Sequence, residues 1–414
     1  MKPIFPYLCT LSLSTYITGT LGHDPSQVPL TTTTLDNLAI DGTTELLELH
    51  KNLVEIESVV GNEHQVGQYL VSYLSSHNFT VETQELPPLE TNPNKPNEPR
   101  LNVFAYKGHL RNTRLLITSH MDTVAPFVPY QRPDEEQICG RGSNDAKGSI
   151  ASQIRAVEEL YSSGSLKEGD IGLLYVVGEE INGGGMKKAN DLFAGHAWEA
   201  AIFGEPSDNK LVLGHKGALV YEIKAHGKAA HSSRPELGIN ANSMLIRALS
   251  AIDAMELPGS ERFGNTTTNI GVMQGGVAMN IIPAEASAMV LTRLAAGTPK
   301  QAMGEIEKVL NDLGEERLSV SFGHHLPPVI CDVDIDGMYA PIWDKETVVD
   351  EIGFETIILT GGTDIPFLKG NHKRYMYGPG SVFPAHSDHE CLTVGDLTKA
   401  VDDYKIIIND LLAR

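Results

Sequence analysis

Positive charge is scarce in this chain of 414 residues: 32 Lys and Arg stand against 53 Asp and Glu, a formal net charge of -21. Such a balance repels phosphate backbones and anionic headgroups, so it argues against nucleic acid and lipid surfaces as partners. Cysteine is equally sparse, and four are too few for a disulfide-stapled scaffold. After the N-terminal segment, no apolar run approaches the ~20 residues that a bilayer-spanning helix needs, which argues against an integral membrane protein. What is present, 41% hydrophobic residues over this length, suffices for the cores of two or three domains. These features describe an acidic globular protein, an enzyme or a binding protein.

Residues 1–22 read as a secretory signal peptide. Lys2 is their only charge, Ile4 to Ile17 is mostly apolar or hydroxyl-bearing, and small residues place cleavage near Thr20 to Gly22. Pro3, Pro6 and the lack of periodicity count against a buried helix or strand there. Cleavage removes Cys9 and leaves Cys139, Cys331 and Cys391, an odd set that permits at most one intramolecular disulfide of unassigned partners. Asn78-Phe79-Thr80 and Asn265-Thr266-Thr267 are glycosylation sequons for a chain that is exported.

From Glu45 to about Gly214, apolar runs alternate with amphipathic stretches. Helices are expected around 46–56, 66–74 and 149–161, and buried strands at Leu115 to Thr118, Ile171 to Val177 and Ala200 to Phe203. Pro87 to Pro99 is a surface loop. The alternation predicts an α/β fold, a mostly parallel sheet flanked by helices. A βαββαβ unit then follows: strands at 218–225, 267–273, 287–294 and 318–322, helices at 240–255 and 299–313. In the helix at 240–255, Met244, Leu245, Leu249 and Ile252 suit packing on its own sheet. Beyond Pro327 the α/β character returns, with strands at 355–359 and 374–377 and a closing helix from Val394. The division is 1–22 signal segment, 36–215 and 326–414 as two parts of one domain, and 216–325 as a smaller inserted domain.

Charged groups gather just past the expected strands: His120 and Asp122, Glu179 and Glu180, and Glu205, with Asp145 in a loop before a helix. Ligands of open α/β sheets bind beyond the carboxyl ends of the strands. Several carboxylates meeting an imidazole at one such edge repel one another unless a cation lies between them. Each group alone reads as a helix cap or a solvated loop residue. Four in order after successive strands point instead to a metal centre, because imidazole and carboxylate ligate zinc and a bridging carboxylate holds two ions ~3.5–4 Å apart. Gly183-Gly184-Gly185 is not followed by the Lys-Ser/Thr of a phosphate-binding loop.

From Glu45 to the C-terminus the chain resembles the co-catalytic zinc hydrolases that include aminoacylase, acetylornithine deacetylase, succinyl-diaminopimelate desuccinylase and glutamate carboxypeptidase. Its matching motifs are Ser119-His120-Met121-Asp122-Thr123-Val124, Gly140-Arg141-Gly142 with Asp145-Ala146-Lys147-Gly148, Gly178-Glu179-Glu180, Gly204-Glu205-Pro206 and Ala385-His386. The resemblance implies two Zn2+ ions per subunit, with Co2+ as a substitute. Asp145 bridges them, His120 and Glu205 complete one ligand set, and Glu180 and His386 complete the other. It further implies that Asp122 fixes the tautomer of His120, that the Asp145-Ala146 peptide is cis, and that Glu179 is the general base.

In the inserted domain, which in that family acts as a lid or dimerisation domain, His231 matches an oxyanion-stabilising histidine, while Asn280 and Arg293 match substrate contacts. In dimeric relatives some of these groups reach the neighbouring subunit's site. His226 reads as structural. Two departures stand out. Leu291 replaces an acidic residue often found two before the arginine, and Ile365-Pro366 follows Gly361-Gly362-Thr363-Asp364 where the family has a small residue and an arginine. The expected function is a secreted carboxypeptidase acting on peptides, with the homodimer left open. Glu205, where peptidases tend to carry aspartate, keeps N-acyl-amino-acid deacylation as the alternative. A catalytically silent zinc- or peptide-binding protein is the reading of another class.

Overall fold

The computed structural model describes residues 42–89, 98–333 and 353–414. The signal segment, Cys9 and part of the Pro-rich loop lie outside the described residues. Leu46, Leu49 and Leu53 recur at helical spacing and bury one stripe of α1 (Gly42–Glu55), and Val66, Leu70 and Leu74 do so for α2 (His64–Ser76). Then come β1 (Phe79–Leu86), β2 (Arg100–Lys107), β3 (Leu115–His120), β4 (Gln137–Cys139), α3 (Lys147–Ser162), β5 (Ile171–Val176) and α4 (Gly184–Ala189). β6 (Ala200–Gly204), β7 (Leu211–His215) and β8 (Gly217–His226) lead into α5 (Ala241–Asp253), β9 (Thr267–Gly275), β10 (Glu285–Leu294), α6 (Pro299–Asp312) and β11 (Leu318–Leu326). The last elements are β12 (Val329–Ile330), β13 (Thr356–Leu359), β14 (Lys373–Met376), β15 (Cys391–Thr393) and α7 (Val394–Ala413).

The main sheet has the order β1-β2-β5-β3-β6-β14. β5, β3, β6 and β14 run parallel, whereas β1, β2 and β5 pair antiparallel, so the sheet is mixed with a parallel centre. Successive side chains point to opposite faces. Leu115, Ile117, Ile171 and Leu173 therefore enter a core with α1, α2, α3 and α7, while Leu116, Leu174 and Val176 enter a second with Met186, Trp198 and Phe203. Burial on both sides explains why β3 and β5 read as continuous apolar runs. The parallel centre also brings the carboxyl ends of β3, β5 and β6 to one edge.

β8, β9, β10 and β11 form a separate antiparallel sheet of order β11-β8-β10-β9. One face packs Leu219, Tyr221, Ile223 and Val290 on Met244, Leu245, Leu249 and Ile252 of α5 and Ile306 of α6. Asn240 caps α5, and Thr298 with Gln301 forms a capping box on α6. At the outer edge β9 leaves Val272 and Met273 exposed. A small sheet, β12-β7-β13, stands where the chain passes to and from this layer. β15 pairs with β4, and there Cys139 is bonded to Cys391; Cys331 is buried and free.

Candidate metal centre

His120 closes β3, Glu179 and Glu180 follow β5, Glu205 follows β6, and Asp145 precedes α3. Their approach depends on small residues: a side chain on Gly204 would strike Gln153, Ser149 and Ser119. The Asp145 carboxylate stands in the middle. Its Oδ1 is 3.1 Å from His120 Nε2 and its Oδ2 is 3.4 Å from His386 Nε2. His120 Nε2 also lies 3.8 Å from Glu205 Oε2, and His386 Nε2 lies 3.0 Å from Glu180 Oε2. The structure thus gathers His120, Asp145, Glu180, Glu205 and His386 around one bridging carboxylate. The Asp145-Ala146 peptide is cis, and His386 has a φ of 64°, in the left-handed region.

The charges do not balance by themselves. Among the described residues no Lys or Arg side chain pairs with Asp145, Glu180 or Glu205. His120 Nδ1 is 3.0 Å from the main-chain oxygen of Asp122, which only accepts, so Nδ1 carries a proton, and in the neutral ring Nε2 turns its lone pair to the carboxylates. Lone pair facing carboxylate is repulsive without a cation between them. Burial opposes charge on His120, yet bonding to Asp145 and Glu205 wins and raises it well above its ordinary value. Contact with Asp145 and Glu180 raises His386 to about 10, burial opposing. Burial also lifts Glu180 to about 7, against the pull of His386. Metal ions satisfy this arrangement where extra protons otherwise must. Two imidazoles and three carboxylates fit that role, and the donor set suits zinc.

Asp122 departs from expectation in its means. Its carbonyl, not its carboxylate, holds His120 Nδ1; the nearer carboxylate oxygen is 3.7 Å away. The carboxylate instead accepts the main-chain N–H groups of Glu179 at 3.2 Å and Glu180 at 3.1 Å. It therefore fixes the turn that presents both glutamates. Burial pushes Glu179 well above the usual carboxylate range, helped by Glu205, Asp364 and Glu180 against His120.

Two acids were given no role from the sequence. Glu390 is buried and accepts three main-chain N–H groups from the Asp145 loop. Asp364 is buried with neither carboxylate oxygen hydrogen-bonded among the described residues. Burial takes it up to about 8 against the pull of His120, with Asp122 and Glu205 adding. Beside it, Thr363 Oγ1 is 3.0 Å from Nε2 of the buried His215.

The inserted layer keeps its own candidates together. His231 bridges to Ile281, and Ser232 N–H donates to the Asn280 carbonyl at 3.0 Å. Arg293, on β10, is half-buried and has no carboxylate partner among the described residues. No hydrogen bond or ion pair among the described residues joins His231, Asn280 or Arg293 to the five-residue cluster. His226 is exposed and pairs with Glu285 at 2.8 Å. Asn78 and Asn265 are both exposed.

Residues 213–317, which include this layer's first three strands and both helices, match the peptidase dimerisation domain family. A peptidase M20 domain-containing protein of Schizosaccharomyces pombe is 43% identical over 366 residues, covering 88% of this chain and 84% of that one. A probable carboxypeptidase of Aspergillus terreus is 38% identical over 443 residues, covering 97% of this chain and 98% of that one. Among solved structures, a dinuclear metal-binding M20 peptidase of Bacillus subtilis is similar in fold, with a TM-score of 0.63 at 15% identity over 90% of this chain and 99% of that one. The chain belongs to the M20 peptidase family. It is an enzyme, a metallopeptidase or related amidohydrolase.

Proposed function

We propose that the protein is a secreted carboxypeptidase that removes C-terminal amino acids from peptides at a centre of two zinc ions. The observation that carries this reading is the Asp145 carboxylate lying between His120 and His386, with Glu205 on one side and Glu180 on the other. His120, Asp145 and Glu205 would hold one ion, and Asp145, Glu180 and His386 the other. When bound, such ions polarise an amide carbonyl and lower the pKa of a water to ~7. Glu179 would take a proton from the attacking water and return it to the leaving nitrogen, a task suited to a carboxylate raised by burial. Arg293, half-buried without an acidic partner, suits the peptide's terminal carboxylate, because its guanidinium can bind both oxygens. His231 supplies a donor to the oxyanion, and Asn280 beside it a substrate contact. In a homodimer formed through the β9 edge, both reach the neighbouring site.

The A. terreus relative's name supports carboxypeptidase activity, and the B. subtilis protein's description supports two metals. The N-terminal pattern supports secretion, and exposed Asn78 and Asn265 are open to glycosylation. Glu205 favours the second reading, N-acyl-amino-acid deacylation. A panel of peptides, their C-terminal amides and N-acetyl amino acids separates the two. Free peptides should be cut and amides spared, with activity abolished by chelation and restored by Zn2+ or Co2+. Faster turnover of N-acetyl amino acids establishes the deacylase instead. Undiminished activity after full metal removal rejects both, and no turnover of any substrate leaves the silent binding protein. N-terminal sequencing of the exported chain should find its start near Thr20 to Gly22.

A further inference from the structure

The ligands Asp145 and His386 sit on loops from distant parts of the chain, and one buried carboxylate joins them. Glu390 Oε1 accepts N–H groups from Gly142 at 2.9 Å, Asn144 at 3.2 Å and Asp145 at 3.1 Å. Its Oε2 is 2.5 Å from Arg141 Nη1, and Arg141 Nη2 donates to the His386 carbonyl at 3.2 Å. Arg141 and Glu390 are thus one ion pair bonded to the main chain of both ligands. The next residue, Cys391, is bonded to Cys139 two positions before Arg141. Gly140 N–H donates to the Glu390 carbonyl at 3.0 Å, and Asn144 Nδ2 to the Ser381 carbonyl at 2.6 Å. Every tie crosses from one ligand loop to the other.

We propose that Glu390 is the positioning residue of the metal centre: it sets the Asp145 carboxylate against His386, and Arg141 with the Cys139–Cys391 bridge holds it there. A buried counter-ion for Arg141 alone would not need three main-chain donors converging on its other oxygen. This proposal rests on the two-ion reading. Groups that orient metal ligands in this way typically contribute ~10–100-fold in metal affinity.

The test uses the purified full chain loaded with zinc. Glu390→Asp keeps the charge but draws the carboxylate back by one carbon; Glu390→Gln keeps the shape and removes the charge. Metal content is measured against rising chelator, beside the visible spectrum of the cobalt-loaded protein and the thermal midpoint of the metal-free protein. Both variants should surrender an ion at about 10–100-fold lower chelator than the unaltered chain, with a changed cobalt spectrum. Cys139→Ser with Cys391→Ser should move in the same direction by less. Should Glu390→Gln fail to fold, Arg141→Met with Glu390→Gln removes the stranded charge and is read in its place. Folded Glu390 variants with unaltered chelator profiles and spectra overturn the proposal, even if their midpoints fall. An unaltered chain that holds fewer than two ions defeats the two-ion reading itself, and that result comes before any variant is compared.

Discussion

Glu179 and Glu180 are neighbours whose surroundings assign them different work. Glu180 touches His386, whereas Glu179 is lifted by burial and by three other acids. Glu179→Gln should therefore keep its metal content and lose about 10²–10⁴-fold in kcat; a variant that retains full turnover removes the base from the mechanism. His50 gives a prediction of another kind. Buried with Nε2 2.8 Å from the Ser143 carbonyl, it is lowered from its ordinary 6.5 to about 4, chiefly by burial. The unfolded chain then binds the extra proton first, so stability from this residue is whole above pH ~6.5 and is lost as pH falls through about 4. Urea titrations across that window should show the natural chain losing stability relative to His50→Gln. In the cluster, His120, Glu180 and Glu205 were legible because each stands in a short motif at a strand end, Asp145 because its loop opens a helix, and His386 only through the family motif Ala385-His386. Glu390 was not, because its role exists only where Arg141 and the Asp145 loop fold against it.

At the level of elements, the turn after β5 depends on its glycines. Gly185 N–H donates to the Val177 carbonyl at 2.8 Å, and Asn102 of β2 bonds both residues. A Cβ on Gly185 would overlap that carbonyl and the Asn102 side chain. Gly185→Ala should destabilise the protein by about 1–3 kcal/mol and displace Glu179 and Glu180, which calorimetry and kcat together check. The same triplet, read in sequence only as not being a phosphate loop, is a close-packed start to α4. Strands β3, β5 and β6 were visible as apolar runs, and α3 and α7 by their periodicity. β1 and β2 escaped notice: Phe79–Leu86 is half polar, and Arg100–Lys107 follows a Pro-rich stretch that masks its start. Their antiparallel pairing extends the sheet away from the site, so missing them left the site's placement unaffected.

For the whole molecule, the question of assembly falls on the β9 edge of the β11-β8-β10-β9 sheet. Met273 and Ile246 are exposed and line one cavity between β9 and α5. Met273→Glu should convert a homodimer to monomers in sedimentation velocity while leaving zinc content unchanged; a monomeric natural chain removes the assembly. The insertion was legible as a change from alternating strand and helix to βαββαβ, whereas the cysteine pairing required three dimensions. That pairing has a wider consequence. Cys139 and Cys391 are separated by 252 positions, so they enclose the second sheet and most of the chain's passages between layers. A protease nick anywhere in that span yields two fragments that travel together on a gel until a reductant is added.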